Sequence, residues 1–232
     1  MNARLIGILP GVLLSVAMSS YAGVGREDLS DDAKAGLQHM REEEKLAHDL
    51  YSAFGDLYNL RIFENIPMAE ANHMAAIATL LDAFDLDDPA NPEAGVFQNE
   101  ELQAAYDQLL SDGKVSLVAA LESGAYVEEL DIRDLERLLD ETKDESIKVV
   151  YSNLLRGSRN HLRAFTRVLA NNGENYEPKL LSQDHFEEII EGDMERGGQG
   201  QGAAVVTDAG ETTRSERIEA ERADLNPLFF IF

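Results

Sequence analysis

The sequence predicts an all-α protein built around a four-helix bundle, and three observations lead there. Four long stretches carry apolar residues at alternating steps of three and four, the spacing of a buried helix face. No stretch gives a convincing strand, and no long-period repeat suggests a solenoid. The breaks between the four stretches hold Gly, Asn-Pro and Asp-Gly signals, which punctuate helices.

The first helix is expected from Ser30, an N-cap followed by Asp31 and Asp32, to about Phe54, with Gly55 as its stop. Its seam is Leu37, Met40, Glu44, Ala47, Tyr51 and Phe54, so Glu44 interrupts an apolar face. Glu42 and Glu43 flank that seam and read as solvated charge. The second helix covers residues 66–84, with Pro67 in its first turn or kinking it. Its seam is Ile66, Glu70, His73, Ile77, Leu80 and Phe84, which turns a carboxylate and an imidazole inward one turn apart.

A loop follows, broken by a short helix over about 100–110 that ends before Asp112-Gly113. The third long helix, about 115–140, has the seam Val118, Leu121, Ala125, Glu128, Ile132, Leu135 and Leu139, with Glu128 as the polar member. Glu129 falls on the flank. Thr142 and Glu145 form a capping box that opens the fourth long helix, which ends near Asn171-Asn172-Gly173. Its seam is Ile147, Tyr151, Leu154, Ser158, His161, Phe165 and Val168. Ser158 and His161 repeat the three-residue interval of Glu70 and His73. His39 and His185 match no seam and read as exposed. Ser182 caps a last short helix through about Met194.

Domain limits follow from composition. Residues 1–22 read as a cleaved secretory signal: Arg4 precedes an apolar run interrupted by Pro10, and Ser20-Tyr21-Ala22 supplies small residues for cleavage. That implies a secreted or periplasmic protein with no transmembrane span after cleavage. Residues 29–195 form the bundle domain, and residues 196–232 form a flexible acidic tail that opens with a Gly/Gln run and ends on the apolar Leu228-Phe229-Phe230-Ile231-Phe232.

The whole chain has 44 acidic against 20 basic residues, net −24, and loss of Arg4 with the signal makes it −25. Such a surface attracts cations and excludes nucleic acid as a partner, because phosphate needs a basic face. With no cysteine there is no disulfide, thiolate metal site or redox dithiol. The two helix pairs are joined by short connections and so are antiparallel. About thirty residues link one pair to the other, enough for one long crossover along a ~30 Å helix.

If Glu44, Glu70, His73, Glu128 and His161 lie at one height, three carboxylates and two imidazoles meet inside the bundle. Three carboxylates in a dry site oppose each other's ionisation unless cations neutralise them. Oxygen and nitrogen ligands without thiolate suit iron, manganese or zinc, with iron or manganese fitting the carboxylate excess best.

These residues carry a resemblance. The stretch Glu44-Lys-Leu-Ala-His-Asp-Leu-Tyr51, the motif Glu70-Ala-Asn-His73, Glu128 and His161 resemble the four ligand-bearing helices of ferritin-like di-iron carboxylate proteins, the bacterioferritin and rubrerythrin group. Glu42-Glu43-Glu44-Lys45-Leu46-Ala47 and the run from Leu154 to Phe165 are similar to an uncharacterised prokaryotic branch of that superfamily. The similarity spans about residues 29–191.

It implies a ferritin-like bundle in which Glu44, Glu70, His73, Glu128 and His161 are metal ligands, with Tyr51 or Tyr151 supporting them. It also implies one or two Fe ions, with Mn or Zn as other candidates, and ferroxidase- or peroxidase-type chemistry on a small oxidant such as O2 or peroxide. Homo-oligomers are compatible with it. Ser158 departs from the pattern, standing where a second Glu-x-x-His would place its carboxylate. His48, one turn beyond Glu44, is the residue that would compensate, and Glu129 is the understudy to Glu128. The competing expectation is a non-catalytic metal-holding or helical interaction module.

Overall fold

The computed structural model describes residues 29–196; the expected signal in 1–22 and the tail beyond Arg196 lie outside the described residues. Six helices and no strand are present among them: α1 Asp31–Tyr58, α2 Arg61–Ala83, α3 Glu100–Gly113, α4 Leu117–Glu141, α5 Glu145–Asn171 and α6 Gln183–Glu191. None is long and apolar enough to cross a membrane.

Several helix ends differ from the sequence expectation, most for a tertiary reason. Helix α1 starts at the Ser30 cap, whose hydroxyl accepts from Ala33 N, but it runs through Gly55 to Tyr58 and ends on Asn59 in the left-handed region, φ 45°. Gly55 is a contact glycine: a Cβ there would stand 3.0 Å from the Phe63 carbonyl oxygen of α2. Helix α2 begins at Arg61, which puts Pro67 in its second turn and removes one ladder bond. Burial of Ile62 and Phe63, with Phe63 packed edge-on to Phe54 at 5.4 Å, offsets that loss. Helix α3 likewise continues through Asp112-Gly113, because Phe54 occupies the space a side chain at Gly113 would need. Asp144 caps α5, accepting from Ser146 N and Ile147 N. The expected Thr142–Glu145 capping box is absent, and Thr142 instead closes α4.

Helices α1, α2, α5 and α4 form a four-membered ring of neighbours, with α3 laid on α1 and α4 and α6 on α5. Cross-helix contacts fix the directions. Tyr51 bonds Glu128 while His39 bonds Asp134, so α1 runs against α4. Glu70 meets His161 while His73 lies on Gly157, so α2 runs against α5. Since α2 and α4 then point the same way, the chain must travel the bundle length between them, and residues 84–116 with α3 make that crossover.

Two acids expected at the surface instead hold connections in place. Glu42 is buried and its carboxylate accepts from Gln98 N at 2.5 Å and Asn99 N at 3.0 Å, fixing the loop before α3. Glu129 is fully buried and accepts from the Tyr176 hydroxyl at 2.6 Å and from the backbone N–H groups of Lys179, Leu180 and Leu181. A carboxylate met by that many donors is satisfied in a dry interior.

Candidate metal centre

The five inward polar residues come together at one height, from α1, α2, α4 and α5. Glu44, Glu70 and His73 each offer a ligand atom within 4.8 Å of the others, and so do Glu70, Glu128 and His161. Glu70 belongs to both triplets. Its Oε2 lies 2.8 Å from His73 Nδ1 and its Oε1 lies 2.8 Å from His161 Nδ1. Glu44 Oε2 stands 3.1 Å from His73 Nδ1, and Glu128 Oε2 stands 3.6 Å from His161 Nδ1. The result is two matched halves: one terminal carboxylate and one imidazole on each side, with Glu70 shared between them.

Hydrogen bonding does not complete this arrangement. Glu44 Oε1, Glu70 Oε1, Glu128 Oε2 and His161 Nδ1 are sealed from solvent and have no hydrogen-bond partner. The His161–Glu70 approach is thus a charge contact without hydrogen-bond geometry. Buried polar atoms are almost always paired, so several orphans converging on one volume fit a divalent cation. Only the imidazoles reach solvent, His73 at 15 % and His161 at 12 % side-chain exposure, against 1 % or less for the three carboxylates.

The surroundings orient these side chains. The Tyr51 hydroxyl is 2.7 Å from Glu128 Oε1 and 3.2 Å from Gly124 O, so it holds one oxygen of Glu128 and leaves the other facing His161. Phe165 packs on Tyr51 at 5.2 Å and on Phe63 at 5.9 Å, an aromatic wall beside the polar cluster. Of the two tyrosines expected to support the site, only Tyr51 does so. The Tyr151 ring packs by Gly36 and Leu138, about two turns of α5 from Ser158.

Ser158 is buried, and its hydroxyl donates to Leu154 O at 3.2 Å, bonding its own helix instead of filling the gap left by a carboxylate. Neither proposed substitute reaches the cluster. His48 pairs with Asp49 at 2.9 Å, and Glu129 faces the loop after α5.

Gly157 was not evident from the sequence. A Cβ on it would lie 2.5 Å from Cε1 and 2.7 Å from Nε2 of His73, so its bare backbone is the shelf on which the imidazole rests. The available signal was a glycine inside a helix, which needs a packing reason to be kept. Gly157→Ala is expected to leave the fold intact, because helix propensity favours Ala by about 1 kcal/mol and the obstructing atoms are the far end of a side chain. It should push His73 out of line, and a metal held at that half would bind about tenfold or more weakly, read by metal titration against an unchanged circular dichroism spectrum.

Electrostatics favour protonation of Glu44, Glu128 and both imidazoles and ionisation of Glu70. Burial raises Glu44 to about 8, against the pull of His73. Burial also raises Glu128. Burial opposes the charge on both imidazoles, but Glu44 and Glu70 hold His73 well above its ordinary value, and Glu70 and Glu128 lift His161 to about 10. Glu70 is held well below the carboxylate range by His161 and His73 despite its burial.

The native state therefore keeps protons that the unfolded chain has lost: on Glu44 from about pH 4.5 to 8, and on His161 from about pH 6.5 to 10. Each extra proton lowers stability by about 1.4 kcal/mol per pH unit as pH rises. Metal-free protein should show a falling Tm from pH 6.5 to 9, by roughly 2–4 °C per kcal/mol. A cation held by these residues would displace those protons, so under metal binding the decline should disappear with Mn2+ present.

A match to known sequences covers the whole of this site. The family described as an uncharacterized protein domain, DUF2202, matches residues 33–193. This chain belongs to DUF2202. The matched span carries all five clustered residues and leaves out residues 1–32 and 194–232. The uncharacterized protein MJ0754 of Methanocaldococcus jannaschii is 46 % identical over 173 residues, 74 % of this chain and 94 % of that protein. The crystal structure of hypothetical protein MJ0754 from Methanococcus jannaschii aligns with a TM-score of 0.72 at 44 % identity, covering 75 % of this chain and 100 % of that one. The DUF2202 region is thus the helical bundle with its polar interior.

Proposed function

We propose that this DUF2202 bundle is a ferritin-like carboxylate–imidazole centre that holds up to two divalent first-row metal ions, iron or manganese before zinc, and acts on a small oxidant such as O2 or peroxide. The reading rests on Glu70, whose two oxygens face two different imidazoles, with Oε1 left without a hydrogen-bond partner. Glu44 and His73 would hold one ion and Glu128 and His161 the other, with Glu70 between. A redox metal there would supply the electrons that reduce the oxidant.

The chain's own contribution is to bind, orient and dry the site. Tyr51 fixes Glu128, Gly157 seats His73, and the aromatic wall of Phe63 and Phe165 keeps bulk water out. The oxidant would approach between α2 and α5, where the two imidazoles alone touch solvent. The acidic composition supports cation capture, and the expected signal in residues 1–22 makes an exported protein part of the proposal.

One observation favours a second reading, a metal-holding protein without turnover: Ser158 bonds its own helix and supplies no fourth carboxylate. Anaerobic loading with Fe2+ followed by peroxide separates the two. The first expects up to two irons per chain, faster peroxide loss and new near-ultraviolet absorption. Retained metal with no peroxide loss would leave only the second, and no retained metal would remove both.

A further inference from the structure

A second acidic and imidazole cluster lies along the α1–α4 interface, where the sequence pattern predicted an exposed His39 and a solvated Glu43. His39 Nε2 stands 3.5 Å from Glu43 Oε2 and 3.4 Å from Asp134 Oδ2, and the three residues offer ligand atoms within 4.8 Å of one another. Glu43 is fully buried, and neither of its oxygens accepts a hydrogen bond. His39 and Asp134 keep 28 % and 10 % side-chain exposure, so the cluster opens to solvent on one side while its Glu43 wall is dry.

A second observation points to a cation as well. Asp131 is fully buried, and both of its oxygens are also without a hydrogen-bond partner. It stands on α4 three residues from Glu128 and three from Asp134, within the electrostatic reach of Glu43 and Glu44 of α1. Carboxylates thus descend from Asp134, which Arg133 and His39 meet, through the unpartnered Glu43 and Asp131 to the shared centre. A buried hydrogen-bond network would supply donors to these acids, whereas a series of oxygens without donors suits a passing or resident cation. The cation now closest is Arg133, whose guanidinium holds Asp134 at 3.1 and 3.0 Å from the exposed side.

We propose that His39, Glu43 and Asp134 form a second, outer divalent-cation site, from which ions pass by way of Asp131 to the buried centre. Binding at the outer site stands by itself; the delivery rests on the proposed two-ion centre. Arg133 competes for Asp134 and so keeps the outer site weak, as a transfer station must be.

Co2+ is the probe, added anaerobically to the full chain and counted by equilibrium dialysis, with stopped-flow absorbance following the filling of the inner centre. The paired change His39→Ala with Asp134→Asn should lose one ion per chain and slow inner filling by about tenfold. Glu70→Gln should keep the outer ion. Arg133→Gln should bind it about tenfold more tightly, a gain that a misfolded variant could not give.

An unchanged ion count in the His39/Asp134 variant overturns the outer site, as does complete loss of cobalt in Glu70→Gln or no tightening in Arg133→Gln. Loss of the ion with inner filling at the wild-type rate overturns delivery. If wild-type protein binds only the ion that His39 and Asp134 control, the outer site stands, while the buried centre and the delivery to it both fail.

Discussion

If the buried centre holds two ions as proposed, Glu70→Gln is expected to release both, whereas a change at any other of the five residues releases one. The difference follows from geometry: Glu44 and His73 serve one half and Glu128 and His161 the other, while Glu70 presents a separate oxygen to each. Loss of a shared ligand should cost at least about a hundredfold in affinity at both positions. The metal-free fold should suffer too. Glu70 carries the charge that keeps both imidazoles protonated, and the neutral amide would leave buried positive charge uncompensated, at about 3–5 kcal/mol. Metal counting with a thermal melt tests this. Two ions retained by Glu70→Gln, or one lost from it and two from Glu44→Gln, would show that Glu70 is not the shared ligand.

Ser158→Glu should make the fold depend on metal. Ser158 is buried one turn from His161 and touches only its own helix through its hydroxyl. A glutamate there would restore the second Glu-x-x-His and bring a fourth carboxylate into a cluster where burial already raises Glu44 and Glu128. Without metal the extra buried anion and added volume should cost about 3 kcal/mol or more.

Divalent metal should reverse that loss, since ligand at a hundred times its Kd stabilises by about 2.7 kcal/mol. The expected pattern is a Tm below wild type in chelator and at or above it in Mn2+, with the weaker ion tightened. A Tm that stays low in both would mean that the side chain cannot reach the ions, and that Ser158 is a packing residue unrelated to the centre.

How far the sequence reached depended on whether a residue's inward placement was set by the periodicity of its own helix or by partners in distant stretches. Glu44, Glu70, His73, Glu128 and His161 were legible because each breaks an otherwise apolar seam, and burial of a seam is a local, periodic property. Seam position could not separate Glu43 from Glu42. Both flank the seam and both are buried, yet Glu42 caps a loop fifty-six residues away while Glu43 is left without a hydrogen bond beside His39. Glu129 was misplaced on the flank for the same reason: its donors come from residues 176–181. Helix ends failed where packing overrode local signals, as at Gly55 and Gly113, whose missing side chains admit Phe63 and Phe54.

The sequence by itself determined the four long helices, the crossover and the five polar residues turned inward, because side-chain periodicity decides which face of a helix leaves water. Only the tertiary structure decided that Glu70 is divided between two imidazoles, that Gly157 carries His73, and that His39, Glu43 and Asp134 meet at all. Those depend on the relative height and direction of different helices, set by packing between distant stretches that no one helix's pattern records.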